Sequence, residues 1–425
     1  MATLGTATAS ENKAGHQPRV LLSHPTGNQN VRNAVLSLTE RSMLAEFWTT
    51  VAWDGESALN SLLPSRVRSQ LERRSFTVAP PEKIHCVPSR EVLRLALSNT
   101  PLGPAFCGGE RPFSVIGMYR HFDATVARRL SSMRPDAVYA YEGGALNTFR
   151  KAKSLGITTI YELPSGYWHC ENDIFNEDAR RSPEFAALHP GLKDSVSHLR
   201  WKDEELALAD VVLAPSNFVR RTLAGVVSED RIRTVSYGAP HPCPRVDVPG
   251  ASTALRVLYV GSLIQRKGIG YLLRALQALE PDVDLTLIGT RFAPNEVVDD
   301  ACRRHKWFET LPHSEVLEIM MRSDVLVLPS LSDAFGLVVT EALSCGVPVI
   351  VTPNVGASDL VRHGVNGFIV PAGSTKDIAD CLLKLSDDRK LLRAMSRNAQ
   401  QTAASNPWSG YREKWADIVR SAACR

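Results

Sequence analysis

The C-terminal half of the chain alternates short apolar runs with amphipathic helical patterns, and this alternation restricts the fold more than any other feature of the sequence. Residues 256–260 and 325–328 are nearly continuous apolar runs, whereas residues 271–279 and 337–344 repeat apolar side chains at helical spacing. Continuous apolar runs are typical of strands buried on both faces of a helix-covered parallel sheet. The pattern predicts a doubly wound α/β domain that binds ligands at the carboxyl ends of its strands.

The N-terminal half has the same order of elements from Arg19 onward, with strand-like runs at residues 137–141 and 158–162. It therefore predicts a second Rossmann-like, parallel-sheet domain. Four prolines lie between residues 240 and 249, a spacing that continues neither a helix nor a central strand and so predicts a linker. The predicted plan is a disordered tail without a signal peptide over 1–18, an N-terminal domain over 19–240, a linker over 241–254, a C-terminal domain over 255–405, and a C-terminal helix over 406–425 that packs back on the N-terminal domain.

Charge and cysteine usage exclude several classes of protein. The 49 basic and 45 acidic residues leave a net charge of +4 over 425 residues, which is too small for a nucleic-acid binder. The eight cysteines are scattered singly, which indicates reduced cytosolic thiols and neither a zinc site nor a disulfide framework. The sequence has no apolar run long enough to span a membrane. The basic stretch 65–74 is either a solvated helix face or a contact with an anionic membrane.

The segment from Asp333 to Glu341 is the strongest candidate for chemistry. It places two carboxylates on either side of Phe335-Gly336-Leu337, where a strand-to-helix loop opens a helix. The unpaired amides of a helix start bind anions, and a glycine there lets a ligand approach the backbone. Glu341 is then suited to accept hydrogen bonds from a ribose diol. The alternative makes Asp333 a loop cap and Glu341 a solvated helix residue.

Three motifs in order resemble those of glycosyltransferase family 4. They are residues 260–268 (VGSLIQRKG), residues 333–341 with the paired acids, and residues 348–356 followed by Asp359. The resemblance implies two Rossmann-like domains in the GT-B fold, and retaining transfer of a sugar from a nucleotide-diphosphate sugar. It covers residues 257–385 closely and the N-terminal half only in general layout.

The resemblance also implies roles for individual residues. Lys267 pairs with the donor diphosphate and neutralises the charge of the leaving group, with Arg266 able to share this task. Glu341 holds the ribose and Asp333 contacts hydroxyls of the transferred sugar, so Lys267, Asp333 and Glu341 are the predicted catalytic residues. The predicted donor-binding residues are Gly261, Ser262, Arg266, Lys267, Phe335, Gly336, Leu337, Val338 and Glu341. This chain departs from the family pattern at Ser262, which replaces a usual arginine, and at Asp333, which replaces a usual glutamate.

The predicted acceptor site lies on loops that follow strands of the N-terminal half. These loops are rich in glycine, amide and aromatic side chains, which suit a polyhydroxylated ligand. The predicted acceptor-binding residues are Gly27, Asn28, Asn30, Glu142, Glu162 and Trp168. The alternative is structural, with Trp168 in the core and Asn28 in a turn.

The sequence thus predicts a cytoplasmic, metal-independent hexosyltransferase that uses a UDP- or GDP-sugar as co-substrate and no cofactor. The alternative is a catalytically weak or inactive nucleotide-sugar-binding protein of the same fold. The acceptor is a small molecule, a glycan or a lipid, and the last would bring peripheral membrane contact. Asp282-Val283-Asp284 resembles a metal-binding Asp-x-Asp motif but precedes a strand, at the wrong end of the sheet. Neither half has the G-x-G-x-x-G turn of an NAD-dependent oxidoreductase.

Overall fold

A computed structural model describes residues 17–53, 74–98, 100–101, 103–190, 194–243, 254–277, 279 and 282–424. Three predictions fall wholly or mainly outside these ranges. They are the N-terminal tail up to residue 16, the basic stretch up to residue 73, and the linker over residues 244–253.

Among the described residues, the first sheet has seven strands in the order β3-β2-β1-β4-β5-β6-β7, and the pairs among its first five strands are parallel. Its strands are β1 (Val20–Ser23), β2 (Leu44–Thr49), β3 (Ile84–Cys86), β4 (Ala137–Tyr141), β5 (Thr158–Glu162), β6 (Val211–Ala214) and β7 (Ile232–Thr234). All residues of β1, β4 and β6 are buried, because helices cover both faces of such a sheet. The strand order reverses between β1 and β4.

In the part of the chain that the structure describes, the second sheet has six parallel strands in the order β10-β9-β8-β11-β12-β13. Its strands are β8 (Leu255–Val260), β9 (Val283–Ile288), β10 (Lys306–Phe308), β11 (Val325–Leu328), β12 (Val349–Val351) and β13 (Gly367–Ile369). The order reverses between β8 and β11. Loops after two strands diverge at such a reversal and leave a crevice, which is where doubly wound sheets bind ligands.

Helices connect the strands, as the alternating pattern predicts. They are α1 (Gln29–Glu40), α2 (Ser89–Ser98), α3 (Gly103–Cys107), α4 (Val115–Met133), α5 (Leu146–Ser154), α6 (Trp168–Arg181), α7 (Val196–Leu208), α8 (Asn217–Thr222), α9 (Ile269–Gln277), α10 (Glu296–Arg304), α11 (His313–Met321), α12 (Leu337–Ser344), α13 (Thr375–Asp387), α14 (Arg389–Ala404) and α15 (Trp408–Ala423). Among the described residues, no helix combines the length and apolarity needed to cross a membrane.

The chain divides into two compact units. Unit 1 comprises residues 1–162, 200–212 and 412–425, and unit 2 comprises residues 163–199 and 213–411. In unit 1 the last helix is anchored by Trp415, which is fully buried and donates a hydrogen bond from Nε1 to the Tyr139 hydroxyl over 3.0 Å. The domain boundaries drawn from the sequence stay a prediction.

Of the described strands, β2, β3 and β10 are not predicted from the sequence, and for β2 and β10 the reason is identifiable. β2 carries a charge, Glu46, which is 7% exposed and forms an ion pair with Arg129 on α4. β10 is a three-residue edge strand whose first and last residues are exposed, so it has no buried run to detect. β7 ends at Thr234, and Tyr237 beyond it packs its ring against Phe335.

Candidate active site

The loops after β8 and β11 are joined by backbone hydrogen bonds where the strand order of the second sheet reverses. The Leu331 amide donates to the Arg266 carbonyl over 2.9 Å. Gly268 has φ +74°, and a Cβ at this position would lie 2.0 Å from the Pro329 carbonyl oxygen. Only glycine fits there, because both the backbone angle and the approach of the second loop exclude a side chain. The two predicted donor-binding loops therefore form one surface.

Lys267 and Asp333, which are 66 residues apart in sequence, form an ion pair between Nζ and Oδ2. Their side chains are 18% and 11% exposed. The backbone of Asp333 is fixed on both sides, since its amide donates to the Asn354 carbonyl and its carbonyl accepts from the Gly356 amide, each over 2.9 Å. The fold thus brings two of the predicted catalytic residues together from two neighbouring loops.

A buried carboxylate supports the turn that carries Lys267. Asp178 on α6 accepts hydrogen bonds from the Tyr271 hydroxyl and from Gln265 Nε2, the latter over 3.4 Å, and it contacts His189 Nε2 at 2.8 Å. Burial and the bond to Asp178 raise the pKa of Tyr271 to about 12. Gln265 begins the short 3-10 turn Gln265–Lys267, so this network fixes the backbone beside Lys267. No sequence motif indicates it.

The start of α12 has the open geometry that anion binding requires. Gly336 precedes the helix in the left-handed region, with φ +78°, and provides no side-chain cap. The amides of Leu337 and Val338 lie in the first turn, where a helix has no internal acceptors. Phe335, by contrast, is 3% exposed with its ring against Tyr237, so only its backbone is available to a ligand.

Glu341 lies in the middle of α12, and Oε1 of its carboxylate is 2.9 Å from His313 Nε2 on α11. The Glu341 side chain is 13% exposed and the His313 side chain 65% exposed. The hydrogen bond raises the pKa of His313, since the carboxylate favours the protonated ring. Glu341 is thus held by a partner from another helix and is not the freely solvated residue of the alternative interpretation.

The remaining predicted donor residues surround this surface. Gly261 directly follows β8 with φ +151°, and Ser262 after it is exposed. The Ser262 carbonyl accepts from the Tyr259 hydroxyl over 2.9 Å, and burial together with nearby Asp333 raises the pKa of Tyr259. Arg266 makes no side-chain hydrogen bond or ion pair with any other described residue, so its guanidinium is available to an anion.

An acidic residue that the motifs do not reveal lies beside Asp333. Glu171 in the first turn of α6 accepts a hydrogen bond from the Ser332 hydroxyl.

α6 begins at Trp168, whose half-buried ring stacks on that of His169 with 3.5 Å between ring centroids. Trp168, which is predicted to bind the acceptor, belongs to unit 2, as do the predicted donor-binding residues.

A groove of about 320 Å³ opens beside the loop after β9. Arg291 lines it, stacks its guanidinium 4.9 Å from the centre of the Trp307 ring, and pairs with Asp299 at 2.8 Å. The bridge between Leu263 and Arg291 connects this loop to the loop after β8. A flat cation on an aromatic ring is a suitable surface for a planar ligand.

In unit 1, Asn30 and Glu162 form one buried cluster. Asn30 Nδ2 donates to Glu162 Oε1 over 3.3 Å, and the Tyr139 hydroxyl donates to Oε2. The exposed fractions of Asn30 and Glu162 are 4% and 2%. The fold therefore joins two of the predicted acceptor residues, on α1 and at the end of β5, through hydrogen bonds to each other.

The loop after β1 has a structural design of its own. His24 Nδ1 accepts from the amides of Thr26 and Gly27 over 3.1 and 2.7 Å, and burial lowers the pKa of His24 to about 3. Gly27 has φ +69°, with Phe76 filling the place of a side chain. Asn28 caps α1 by accepting from the Val31 amide over 3.0 Å. For Asn28 this is the structural role of the alternative interpretation.

The loop after β4 is held by a carboxylate that sequence reasoning missed. Glu205 on α7 is fully buried and accepts from the amides of Gly143 and Ala145 over 2.7 and 2.8 Å. Burial raises the pKa of Glu205 to about 8, and the backbone hydrogen bonds oppose this rise. Glu142 itself is half-buried and pairs with Lys202 at 3.6 Å.

No group of three or more metal-binding side chains is found in the part of the chain that the structure describes. Asp284 in the Asp-x-Asp segment pairs with Lys306 at 2.8 Å and lies near the amino end of β9. That end of the sheet is opposite to Lys267 and Asp333, as the sequence predicts.

Comparison with known proteins agrees with this layout. Residues 248–402, which include every predicted donor-binding residue, match the model of the glycosyl transferases group 1 family. The chain is similar to sucrose-phosphate synthase from Thermosynechococcus elongatus, with a TM-score of 0.64 and 16% identity over 95% of this chain and 98% of that one. The fold is GT-B. The chain is also similar to HepE from Anabaena in complex with UDP-glucose, with a TM-score of 0.60 and 17% identity over 95% of this chain and all of that one.

Curated relatives are similar over the C-terminal part. The D-inositol 3-phosphate glycosyltransferase of Pseudarthrobacter chlorophenolicus is 33% identical over 165 residues, which are 36% of this chain and 39% of that protein. The match spans less than half the length of this relative. Two other curated relatives with similar sequence identity are also matched over less than half of their length. The N-terminal part resembles known proteins in fold, with low sequence identity.

Proposed function

We propose that the chain is a retaining glycosyltransferase of family 4 that moves a hexose-type sugar from a UDP- or GDP-sugar to a hydroxyl group of an acceptor. The observation that carries this proposal is the Lys267–Asp333 pair beside the open start of α12, at the strand-order reversal of the second sheet. The match of residues 248–402 to the group 1 family supports it.

Each group has a chemical task in the proposed reaction. Lys267 and the first-turn amides of α12 stabilise the diphosphate as its negative charge grows on departure. Asp333 keeps the Lys267 ammonium in place before the donor binds, and its carboxylate accepts hydrogen bonds from hydroxyls of the transferred sugar. Glu341 accepts from the ribose diol, and the groove at Arg291 receives the base.

The acceptor residues support a polyhydroxylated substrate. Asn30 and Glu162 present a buried amide and carboxylate, Glu142 a second carboxylate, and Trp168 a partly exposed ring. Asn28 and Gly27 shape the loop that precedes Asn30. The identity of the acceptor, its possible lipid nature, a cytoplasmic location and peripheral membrane contact stay predictions.

A nucleotide screen tests the proposal. UDP is the first candidate because HepE was determined with UDP-glucose, and GDP and ADP are compared with it. Saturation to about a hundred times the dissociation constant stabilises the folded state by about 2.7 kcal/mol, which a thermal shift detects. In Glu341→Gln the shift should fall, whereas Glu318→Gln, at an exposed position of α11, should behave as the wild type. A chain that no nucleotide stabilises contradicts the proposal.

Release of nucleoside diphosphate distinguishes the enzyme from a binding protein. Ser262 and Asp333 are the departures that motivate the second candidate, a nucleotide-sugar-binding protein with weak or no catalysis. Turnover with a panel of acceptors supports the transferase, whereas tight donor binding without release under any acceptor supports the binding protein. Product anomers resolved by NMR test retention, and an inverted product rejects it.

We also propose that the reaction needs no metal, because Lys267 and the start of α12 supply the positive charge that a divalent cation supplies in other sites. EDTA is then expected to leave turnover unchanged. A loss of turnover that added Mg²⁺ restores would overturn this part of the proposal.

A further inference from the structure

His313 is the partner of Glu341 that the proposed function leaves without a task. It is the first residue of α11, and its Nε2 lies 2.9 Å from Glu341 Oε1 on α12, 28 residues further along the chain. The imidazole is 65% exposed, so it is not a packing element of the core. Its raised pKa, due first to this hydrogen bond, favours a ring that donates from Nε2.

The contact leaves the carboxylate able to bind a diol. An ionised carboxylate has about four acceptor positions on its two oxygens, and His313 uses one of them on Oε1. Oε2 accepts no hydrogen bond from any other described residue. The carboxylate therefore retains one whole oxygen and part of the other for two neighbouring hydroxyls.

The contact also fixes the direction of the carboxylate. A glutamate side chain has three rotatable bonds, and a ligand that orders them loses affinity to that entropy. His313 restricts the same bonds before any ligand arrives. A preorganised carboxylate favours ligands that engage both of its oxygens, because a ligand with a single hydroxyl gains less from the fixed geometry.

We propose that His313 is a positioning residue that orients the Glu341 carboxylate toward the 2′- and 3′-hydroxyls of the donor ribose, and so sets the preference for ribonucleotides over 2′-deoxyribonucleotides. The inference rests on the proposed function, since it takes Glu341 as the ribose-binding group. It assigns His313 no contact with the reacting atoms.

Calorimetric titration of the full chain tests it, with UDP against dUDP, or GDP against dGDP if the screen selects guanine. The wild type should bind the ribonucleotide about tenfold or more tightly than the deoxy form. In His313→Ala the affinity for the ribonucleotide should fall about three- to tenfold, and the affinity for the deoxynucleotide less than twofold. The preference for the ribonucleotide therefore shrinks. His313→Gln keeps an N–H donor and should restore part of the preference.

Two controls separate positioning from general damage. His241→Ala removes an exposed histidine elsewhere in unit 2 and should leave both affinities unchanged. In the background of Glu341→Ala, the further change His313→Ala should have no effect on either ligand, because the group it positions is gone.

The outcomes are distinct. Equal weakening of both nucleotides in His313→Ala, or no weakening of either, overturns the inference and leaves the proposed function standing. A wild type that binds neither nucleotide overturns the proposed function together with the inference.

Discussion

The Lys267–Asp333 pair permits a prediction that separates stability from catalysis. Removing one partner of a fully buried ion pair costs about 3–5 kcal/mol, and exposed pairs contribute about 0–1 kcal/mol. With side chains 18% and 11% exposed, this pair lies between these limits. Lys267→Met or Asp333→Leu alone should therefore lower the free energy of unfolding by about 2 kcal/mol. In a unit of this size, a loss of about 2 kcal/mol lowers the melting temperature by about 4–8 °C.

The double variant should regain stability but not turnover. Removing both charges leaves no unpaired group, so the free energy of unfolding should return to within about 1 kcal/mol of the wild type. Turnover should stay at least about a hundredfold below the wild type in Lys267→Met and in the double variant, because the ammonium that stabilises the leaving diphosphate is absent in both. Thermal unfolding and release of nucleoside diphosphate measure the two quantities on the same samples.

Two results would refute this reasoning. Strictly additive losses of stability in the double variant would mean that the two charges are not coupled in the folded protein. Turnover within about tenfold of the wild type in Lys267→Met would remove Lys267 from the reaction. Lys306→Met provides the matched control, since its pair with Asp284 is 63% and 40% exposed and should change stability by less than about 0.5 kcal/mol.

Three further predictions concern the framework. Because burial lowers the pKa of His24 to about 3 while that of the unfolded chain is about 6.5, its contribution to stability is complete above about pH 6.5 and is lost as the pH falls toward 3. The free energy of unfolding, measured with urea between pH 7 and 4, should therefore fall less steeply in His24→Asn than in the wild type. The difference in slope should be up to about 1.4 kcal/mol per pH unit. Asp178→Ala removes the carboxylate that the Tyr271 hydroxyl and the buried His189 imidazole contact. It should lower the free energy of unfolding, measured with urea, by about 3 kcal/mol, and Asp178→Asn should lower it less. Gly268→Ala should lower the melting temperature and weaken nucleotide binding through its clash with the neighbouring loop, whereas Gly364→Ala, with φ +78° and open space around it, should show only the smaller cost of backbone strain.

Much of the fold could be predicted because its signals are local. The strands at 137–141, 158–162 and 325–328 and the helix at 337–344 have the predicted bounds, since each is a continuous apolar run or an amphipathic repeat with polar ends. β2 and β10 escaped detection, because the charge of Glu46 is compensated by a distant residue and a short edge strand buries almost nothing.

Position along the chain also determined where the donor residues lie. In a parallel sheet all loops after strands reach the same edge, so Lys267, Asp333 and Gly336 were bound to lie at the carboxyl ends of β8 and β11. Local sequence also determines the left-handed conformation of Gly336 and the capping of α1 by Asn28.

Only the tertiary structure decided which side chains touch. The pairs Lys267–Asp333 and His313–Glu341, and the contact between Glu171 and Ser332, join residues 66, 28 and 161 positions apart. Such contacts depend on the order of strands in the sheet and on the packing of neighbouring helices, which no periodicity records. For this reason the sequence determined the fold class and the loops that carry the candidate site, while tertiary packing selected His313 as the partner of Glu341.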